Sequence, residues 1–402
     1  MGRFIVVVID SFGIGYMDDV EKVRPQDIGA NTCKHILEKK LNLNLKTFEK
    51  LGLINALGKK INIMDISKEA NFGQSKLQHF GGDTFFGHQE IMGSTPKKPL
   101  VQPFSKVIDS VYLRLIKEGY EVKYVGETLK YLLVNNVLTI GDNLEADLGQ
   151  VYNLTANLDK ISFDELLKIG KIVREEVKVA RVIAFGGEGV TIQEIQDAKE
   201  EKLGKYIGIN APKSGVYNKG YEVRHLGYGI NEKTQVQTIL GKNEIKSIFV
   251  GKVADIVENF YGENYEGIVD TNKIFKISLE KIKNTKTGFF CINIQETDLA
   301  GHAENVERYV EKLKISDENL EKIIDLLNED DILLVTADHG NDPTIGHGKH
   351  TRENVPILIY RTKIKGKYIG HRDTLSDIGA TVAEYFGVEM PENGKSFLEL
   401  IK

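Results

Sequence analysis

Between Thr336 and His350 the chain reads TADHGNDPTIGHGKH, which sets Asp338 beside His339 and adds His347 and His350 in a glycine-rich stretch. Carboxylate oxygen and imidazole nitrogen together suit borderline divalent cations such as Mn²⁺ or Zn²⁺. These four side chains within 13 positions, in a chain with only 9 histidines, outweigh a hydrogen-bonded loop with stray surface histidines. A second cluster, QETDLAGH, puts Asp298 and His302 four residues apart just beyond an apolar run. A turn through Gly301 would bring both onto one ion, although alone the pair reads equally as a capping aspartate and an unrelated histidine. Asp10 closes the apolar run FIVVVI, and by itself an acid there could simply cap the next turn. The third signal is GGDTFFGHQEIMG, in which Thr84 lies among glycines that permit close backbone approach to an anion. A threonine hydroxyl is a poor nucleophile unless a base or metal lowers its pKa. Taken alone, the segment is also compatible with an ordinary glycine turn and a buried threonine.

These residues need elements to position them. Short β-branched runs over residues 4–9, 289–294, 332–336 and 357–360 predict buried parallel strands. Helical spacing of apolar residues over 306–327 predicts a long helix. A second helix is expected over 375–386, with Asp373 or Thr374 as cap and Gly387 as stop. Strands alternating with helices give an α/β fold, a mostly parallel sheet covered by helices. Ligands in such sheets gather at the carboxyl ends of strands, where Asp10, Asp298 and Asp338 fall. The middle of the chain has its own βα-like pieces and none of these clusters. The expected organisation is a core over 1–97 and 236–402, split by an inserted α/β cap domain over 98–235.

The formal net charge is −5 with no basic block, so nothing points to nucleic acid. Cys33 and Cys291 lie far apart, and Cys291 sits in the apolar run GFFCINI. Buried free thiols in a reducing compartment are the expectation. The first apolar run is about six residues long, too short for a signal peptide, and no stretch of about 18 apolar residues exists to span a membrane. A cytoplasmic protein is expected; surface pattern gives no purchase on oligomeric state.

Together the motifs resemble the alkaline-phosphatase superfamily and most closely its phosphopentomutases. VVVIDSFGIG is similar to that family's first metal-binding strand end, GGDTFFGHQEIMG to its nucleophile segment, and QETDLAGH and TADHGNDPT with the later histidine to its remaining metal segments. The resemblance covers roughly residues 1–97 and 245–402. It implies that Asp10, Asp338 and His339 hold one metal with Thr84 at or bridging it, and that Asp298, His302 and His350 hold the other. His347 is then an extra neighbour. It further implies an alkaline-phosphatase-like core, two divalent ions (Mn²⁺ first, with Zn²⁺ or Mg²⁺ as alternatives), and a phosphothreonine at Thr84 primed by a sugar bisphosphate activator. The small-molecule substrate would be a (deoxy)ribose phosphate, interconverted between its 1- and 5-phosphates.

The middle segment departs from that family. Where the family's substrate loop has Arg-Pro, this chain reads Phe185-Gly186-Gly187-Glu188, and Asn157 stands at an expected aspartate. Lys252, in a matching Gly-Lys segment, is the leading candidate for a distal phosphate, followed by Lys213 and Arg224. A mutase on another sugar phosphate, or a metal-dependent phosphatase or phosphodiesterase, is the alternative activity. A non-enzymatic sugar-phosphate binder would lack a ligand or the nucleophile, whereas every expected position is filled. Gly13-x-Gly15 lacks the third glycine of a dinucleotide site, and Asp10 would repel a pyrophosphate.

Overall fold

A computed structural model describes residues 2–145 and 148–402. They divide into two compact units, one formed by Met1–Pro96 with Asn231–Lys402, the other by Lys97–Ile230.

The first unit is built on an eight-stranded sheet. Its strands run, edge to edge, Glu263–Tyr265, Ser247–Val250, Gly288–Ile294, Arg3–Ile9, Ile332–Thr336, Val355–Tyr360, Asn71–Ser75 and Tyr368–Arg372. Arg3–Ile9 lies between two parallel neighbours, with Val6 opposite both Cys291 and Leu334. Both faces of these central strands are covered, which is why RFIVVVI and GFFCINI read as unbroken apolar runs and are buried throughout. The exception at the start of the first strand, Arg3, is buried against Asp331 at 2.5 Å and also donates to the Leu326 carbonyl at 2.7 Å. Removing Asp331 would leave that guanidinium buried and unpaired, a loss of about 3–5 kcal/mol.

The strand Val355–Tyr360 runs antiparallel to both Ile332–Thr336 and Asn71–Ser75, not parallel as its sequence suggested. A parallel return needs a long crossover, usually through a helix. Here the chain leaves Thr336 and comes back through residues 337–354 with no helix between, so it re-enters the sheet in the opposite direction. That return loop carries Asp338, His339 and His350.

The long helix forms over Val306–Asp325, capped by the Asn305 side chain, and packs on Thr271–Asn284 and Lys46–Leu51. Ser376–Phe386 ends on Gly387 at φ 66°, the left-handed stop that glycine adopts without strain. Its N-terminus is served by Thr374, whose hydroxyl accepts from the Ser376 amide.

The second unit contains a six-stranded sheet in the order Glu222–Gly227, Arg181–Gly187, Val151–Asn157, Leu138–Asp142, Tyr131–Val134 and Val122–Val125. Only Val151–Asn157 and Arg181–Gly187 pair in parallel, joined by the helix Phe163–Glu176. Its apolar core, which includes Leu132, Tyr152, Leu154 and Val173, is a cluster of its own. Both cysteines are buried and free. No helix among the described residues is long and apolar enough to cross a membrane.

Candidate active site

Four adjacent parallel strands end at one edge of the first unit, and each delivers a charged side chain there. Asp10 follows Ile9, Asp338 follows Thr336 by two residues, and Lys252 stands just past Val250. Asp298 lies in the short helix Glu296–His302 that begins after Ile294. Asp298 and His302 are therefore one helical turn apart, rather than joined by a turn at Gly301, and His302 Nε2 lies 3.4 Å from Asp298 Oδ2.

Thr84 opens the helix Thr84–Ile91, whose N-cap is Asp83; the Asp83 carboxylate accepts from the Phe86 amide. The helix packs directly on the Asp338 strand end. A Cβ at Gly87 would fall 2.6 Å from the Asp338 carbonyl oxygen, so only glycine fits. This contact brings the Thr84 hydroxyl to Asp338 Oδ2, to which it donates at 2.5 Å. An anion bound at Thr84 would also face the positive end of that helix.

The histidines share one arrangement. His339 Nδ1 faces the Gly340 carbonyl at 2.9 Å, His302 Nδ1 the Gly348 carbonyl at 2.8 Å, and His350 Nδ1 the Gly82 carbonyl at 2.8 Å. A carbonyl only accepts, so each Nδ1 carries the proton and each Nε2 is the atom left available to ligate a cation. His339 Nε2 lies 3.5 Å from Asp10 Oδ1 and 3.3 Å from Asp338 Oδ2. His350 Nε2 lies 3.3 Å from Asp298 Oδ1 and 3.0 Å from His302 Nε2. Ligand atoms of Asp10, Asp338 and His339 fall within 4.8 Å of one another, as do those of Asp298, His339 and His350. His339 thus borders both groups.

The donor set fits divalent cations. Asp10 Oδ1 and His339 Nε2 are buried acceptors with no hydrogen-bond partner among the described residues. Each such orphan costs about 1–3 kcal/mol when left unmade, and a cation between them would offset it. Burial pushes the Asp10 pKa up to about 7, with the neighbouring Asp338 adding to the effect. Burial also lowers His339 to about 4, keeping its Nε2 lone pair free. Despite burial, His339 and His88 hold Asp338 below the usual carboxylate range, and His302 and His350 do the same for Asp298.

Lys252 does not stand apart at a distal subsite. Its Nζ is 3.1 Å from Asp10 Oδ2 and 3.4 Å from Asp298 Oδ2, between the two groups. Burial alone would lower its pKa, yet Asp10 and Asp298 raise it. Lys213 and Arg224 belong to the second unit; Lys213 is exposed and pairs with Glu200, and Arg224 lies half-buried in Glu222–Gly227. His347 stays outside the cluster, with Nε2 3.5 Å from Asp27 Oδ1.

Sequence reasoning passed over the residues that hold these side chains. His88, fully buried, contacts the Thr84 carbonyl at 2.9 Å, Asn293 Oδ1 at 2.7 Å and Asp338 Oδ2 at 3.3 Å. Asn293 in turn donates to Asp10 Oδ2 at 2.9 Å, and Asn341 donates to Asp298 Oδ1 at 3.1 Å. Ser11 holds φ at 68°, which costs a non-glycine residue on the order of 1 kcal/mol or more. In that pose its amide donates to Asp338 Oδ1 at 3.1 Å, leaving Oδ2 to Thr84. An asparagine inside the apolar run GFFCINI was the one visible signal among them.

The model of the metalloenzyme superfamily matches residues 2–390. The phosphopentomutase of Caldanaerobacter subterraneus subsp. tengcongensis is 32% identical over 419 residues, covering 98% of this chain and 97% of its own. Among solved structures, a Pyrococcus horikoshii protein aligns over 96% of this chain and 97% of its own with a TM-score of 0.44 and 14% identity. The Leishmania mexicana phosphoglycerate mutase aligns over 98% and 97% with a TM-score of 0.43 and 12% identity.

Proposed function

As the chain belongs to the metalloenzyme superfamily and, within it, to the phosphopentomutase family, we propose that it interconverts the 1- and 5-phosphates of ribose or deoxyribose. It is a metal-dependent phosphotransferase of the mutase type, and its substrate is a small molecule. In our reading Asp10, Asp338 and His339 hold one divalent ion, Asp298, His302 and His350 the other, and Thr84 is the nucleophile. Mn²⁺ is the proposed metal and a sugar bisphosphate the proposed activator. The observation that carries this reading is the three imidazoles, each giving its Nδ1 proton to a backbone carbonyl and turning Nε2 toward the carboxylates beside Thr84.

When bound, two divalent cations supply the charge that makes a hydroxyl nucleophilic and neutralises phosphoryl oxygens. The protein's own part is positioning. Thr84 Oγ1, held on Asp338 Oδ2 at 2.5 Å, has its proton directed at a carboxylate. In priming, Thr84 Oγ1 forms a bond to phosphorus of the bisphosphate while the ester bond to the sugar oxygen breaks. In turnover the phosphothreonine passes its phosphoryl group to the free hydroxyl of the sugar phosphate, and the resulting bisphosphate returns its other group to Thr84. Lys252 brings a fixed ammonium to Asp10 and Asp298, within the region where phosphoryl charge would gather. The second unit is proposed as the cap that keeps water from the phosphothreonine.

The test is an assay with Mn²⁺, a catalytic amount of glucose 1,6-bisphosphate, and ribose 1-phosphate or, separately, deoxyribose 1-phosphate, following the corresponding 5-phosphate and free phosphate together. Isomerisation with little phosphate release is expected. Phosphate release alone would make the protein a hydrolase, and no turnover would remove pentose phosphates as substrates.

A further inference from the structure

The segment that presents Thr84, residues 77–83, has no regular secondary structure and is held from both sides by buried charges. Arg352 grips its carbonyls: Nη1 donates to His79 O and Gly81 O, both at 2.7 Å, and Nη2 to Leu77 O at 3.0 Å. The same guanidinium is clamped by both Asp19 oxygens at 2.8 Å. Glu90, on the far turn of the Thr84–Ile91 helix, grips the amides. Its Oε1 accepts from the Gln78 amide at 3.0 Å and its Oε2 from the His79 amide at 3.1 Å and the His79 ring at 2.7 Å.

Because Glu90 Oε2 can only accept, His79 Nδ1 carries the proton and Nε2 is an acceptor. That nitrogen receives the Asp83 amide at 3.4 Å, the residue just before Thr84. Glu90 Oε1 also accepts from Thr374 Oγ1 at 2.7 Å and the Leu375 amide at 2.8 Å, tying the segment to the start of the helix Ser376–Phe386. Glu90 is fully buried and His79 nearly so, and their side-chain hydrogen bonds among the described residues go to Gln78, Asp83, Thr374, Leu375 and each other. Burial alone would raise the Glu90 pKa, yet the His79 ring and Thr374 hold it below its usual value.

We infer that Glu90 and His79 are positioning residues for phosphoryl transfer: the carboxylate fixes the imidazole and two amides, the imidazole fixes the Asp83 amide, and Thr84 Oγ1 is thereby held in register with Asp338. This rests on Thr84 being the nucleophile. The pair acts on where the hydroxyl sits, not on metal binding. Loss of the pair should therefore spare anions that need only the metals and penalise those that need the threonine oxygen.

Two probes separate these, both applied to the full chain loaded with Mn²⁺. Orthovanadate gains its five-coordinate, transition-state-like form by accepting the Thr84 oxygen; inorganic phosphate does not. Glu90→Gln keeps size but turns one accepting oxygen into an NH₂ donor, which must face either the His79 ring and amide or the Gln78 and Leu375 amides. Its vanadate affinity should fall about 10- to 100-fold with phosphate affinity unchanged, as expected for a misplaced nucleophile. Equal vanadate binding by Glu90→Gln and the parent, or a parallel loss of vanadate and phosphate, would overturn the inference. Thr84→Ala is the control for the underlying reading. If it binds vanadate as tightly as the parent, the nucleophile assignment falls and Glu90's role with it; if only Glu90→Gln is unaffected, the inference alone falls. Should Glu90→Gln not fold, His79 decides. His79→Gln can place an acceptor near the Nε2 position and should keep most of the vanadate preference, whereas His79→Asn cannot and should lose it. Equal behaviour of those two variants would refute the positioning role.

Discussion

Asp10, Asp338 and His339 have no exposed side-chain surface, whereas His302 keeps 42% of its side chain open and His350 20%, although both proposed ligand sets use the same donor types. The buried set stands on the central strands Arg3–Ile9 and Ile332–Thr336 and is braced by Asn293, Ser11 and His88. The open set depends on a seven-residue helix and on a glycine-containing loop, with His302 pinned through Gly348. The contrast assigns the sets different work. The buried set adjoins Thr84 through Asp338, so in the proposed reaction it would fix the attacking oxygen and its geometry must be rigid. In the same proposal the partly exposed set would exchange its ion and admit a phosphoryl group from solvent.

The largest expected effect tests the rigid side. Thr84→Ala should cut turnover by at least about 10⁴-fold while folding and bound metal stay as in the parent, read by activity, circular dichroism and metal analysis. Normal turnover in that variant would remove the nucleophile from the rigid set. Asp338→Asn comes next: it withdraws both a proposed ligand and the acceptor of the Thr84 hydroxyl, so activity should fall by more than about 100-fold and not recover with added Mn²⁺. His302→Ala should be milder. One of two ions should bind about 10- to 100-fold more weakly, and activity should return as Mn²⁺ is raised. Equal, unrescued losses for Asp338→Asn and His302→Ala would erase the distinction between the sets.

How far the sequence foresaw this depends on where the information resides. Asp10, Asp298, His302, Asp338, His339, His350 and Thr84 sit in short motifs, but apart from the Asp338-His339 segment each was ambiguous alone, and it was the resemblance of the motifs taken together that nominated them. The direction of Val355–Tyr360 was not legible, because a buried apolar run looks the same whichever way it pairs. Lys252 was placed at a remote subsite, since sequence presents a lysine as a surface charge and cannot show Asp10 and Asp298 closing on it. Glu90 and Arg352 act across 285 and 273 positions, on the Leu375 amide and the His79 carbonyl respectively, backbone groups that carry no sequence signal. Asn293 was the near miss, a polar residue inside a strand that otherwise admits none.

The finest test of the contrast counts protons. Metal must displace any proton held by its ligands, so affinity falls as pH drops through a ligand's pKa in the metal-free protein. In the buried set only Asp10, raised to about 7, holds a proton near neutrality, because His339 is lowered to about 4 and Asp338 is held down by its neighbours. In the open set both histidines are raised, His302 by its bond to Asp298 and His350 by Asp298 despite burial, while Asp298 itself is held down. Below neutrality the buried set should therefore release one proton per ion bound and the open set up to two. Mn²⁺ titration calorimetry in buffers of different ionisation enthalpy reads these numbers directly. The open-set ion should weaken faster between pH 7 and pH 6, leaving a singly loaded, inactive protein that still holds its buried ion. Loss of both ions in step, with equal proton release, would mean that the two sets titrate as one and that the exposure of His302 has no chemical consequence.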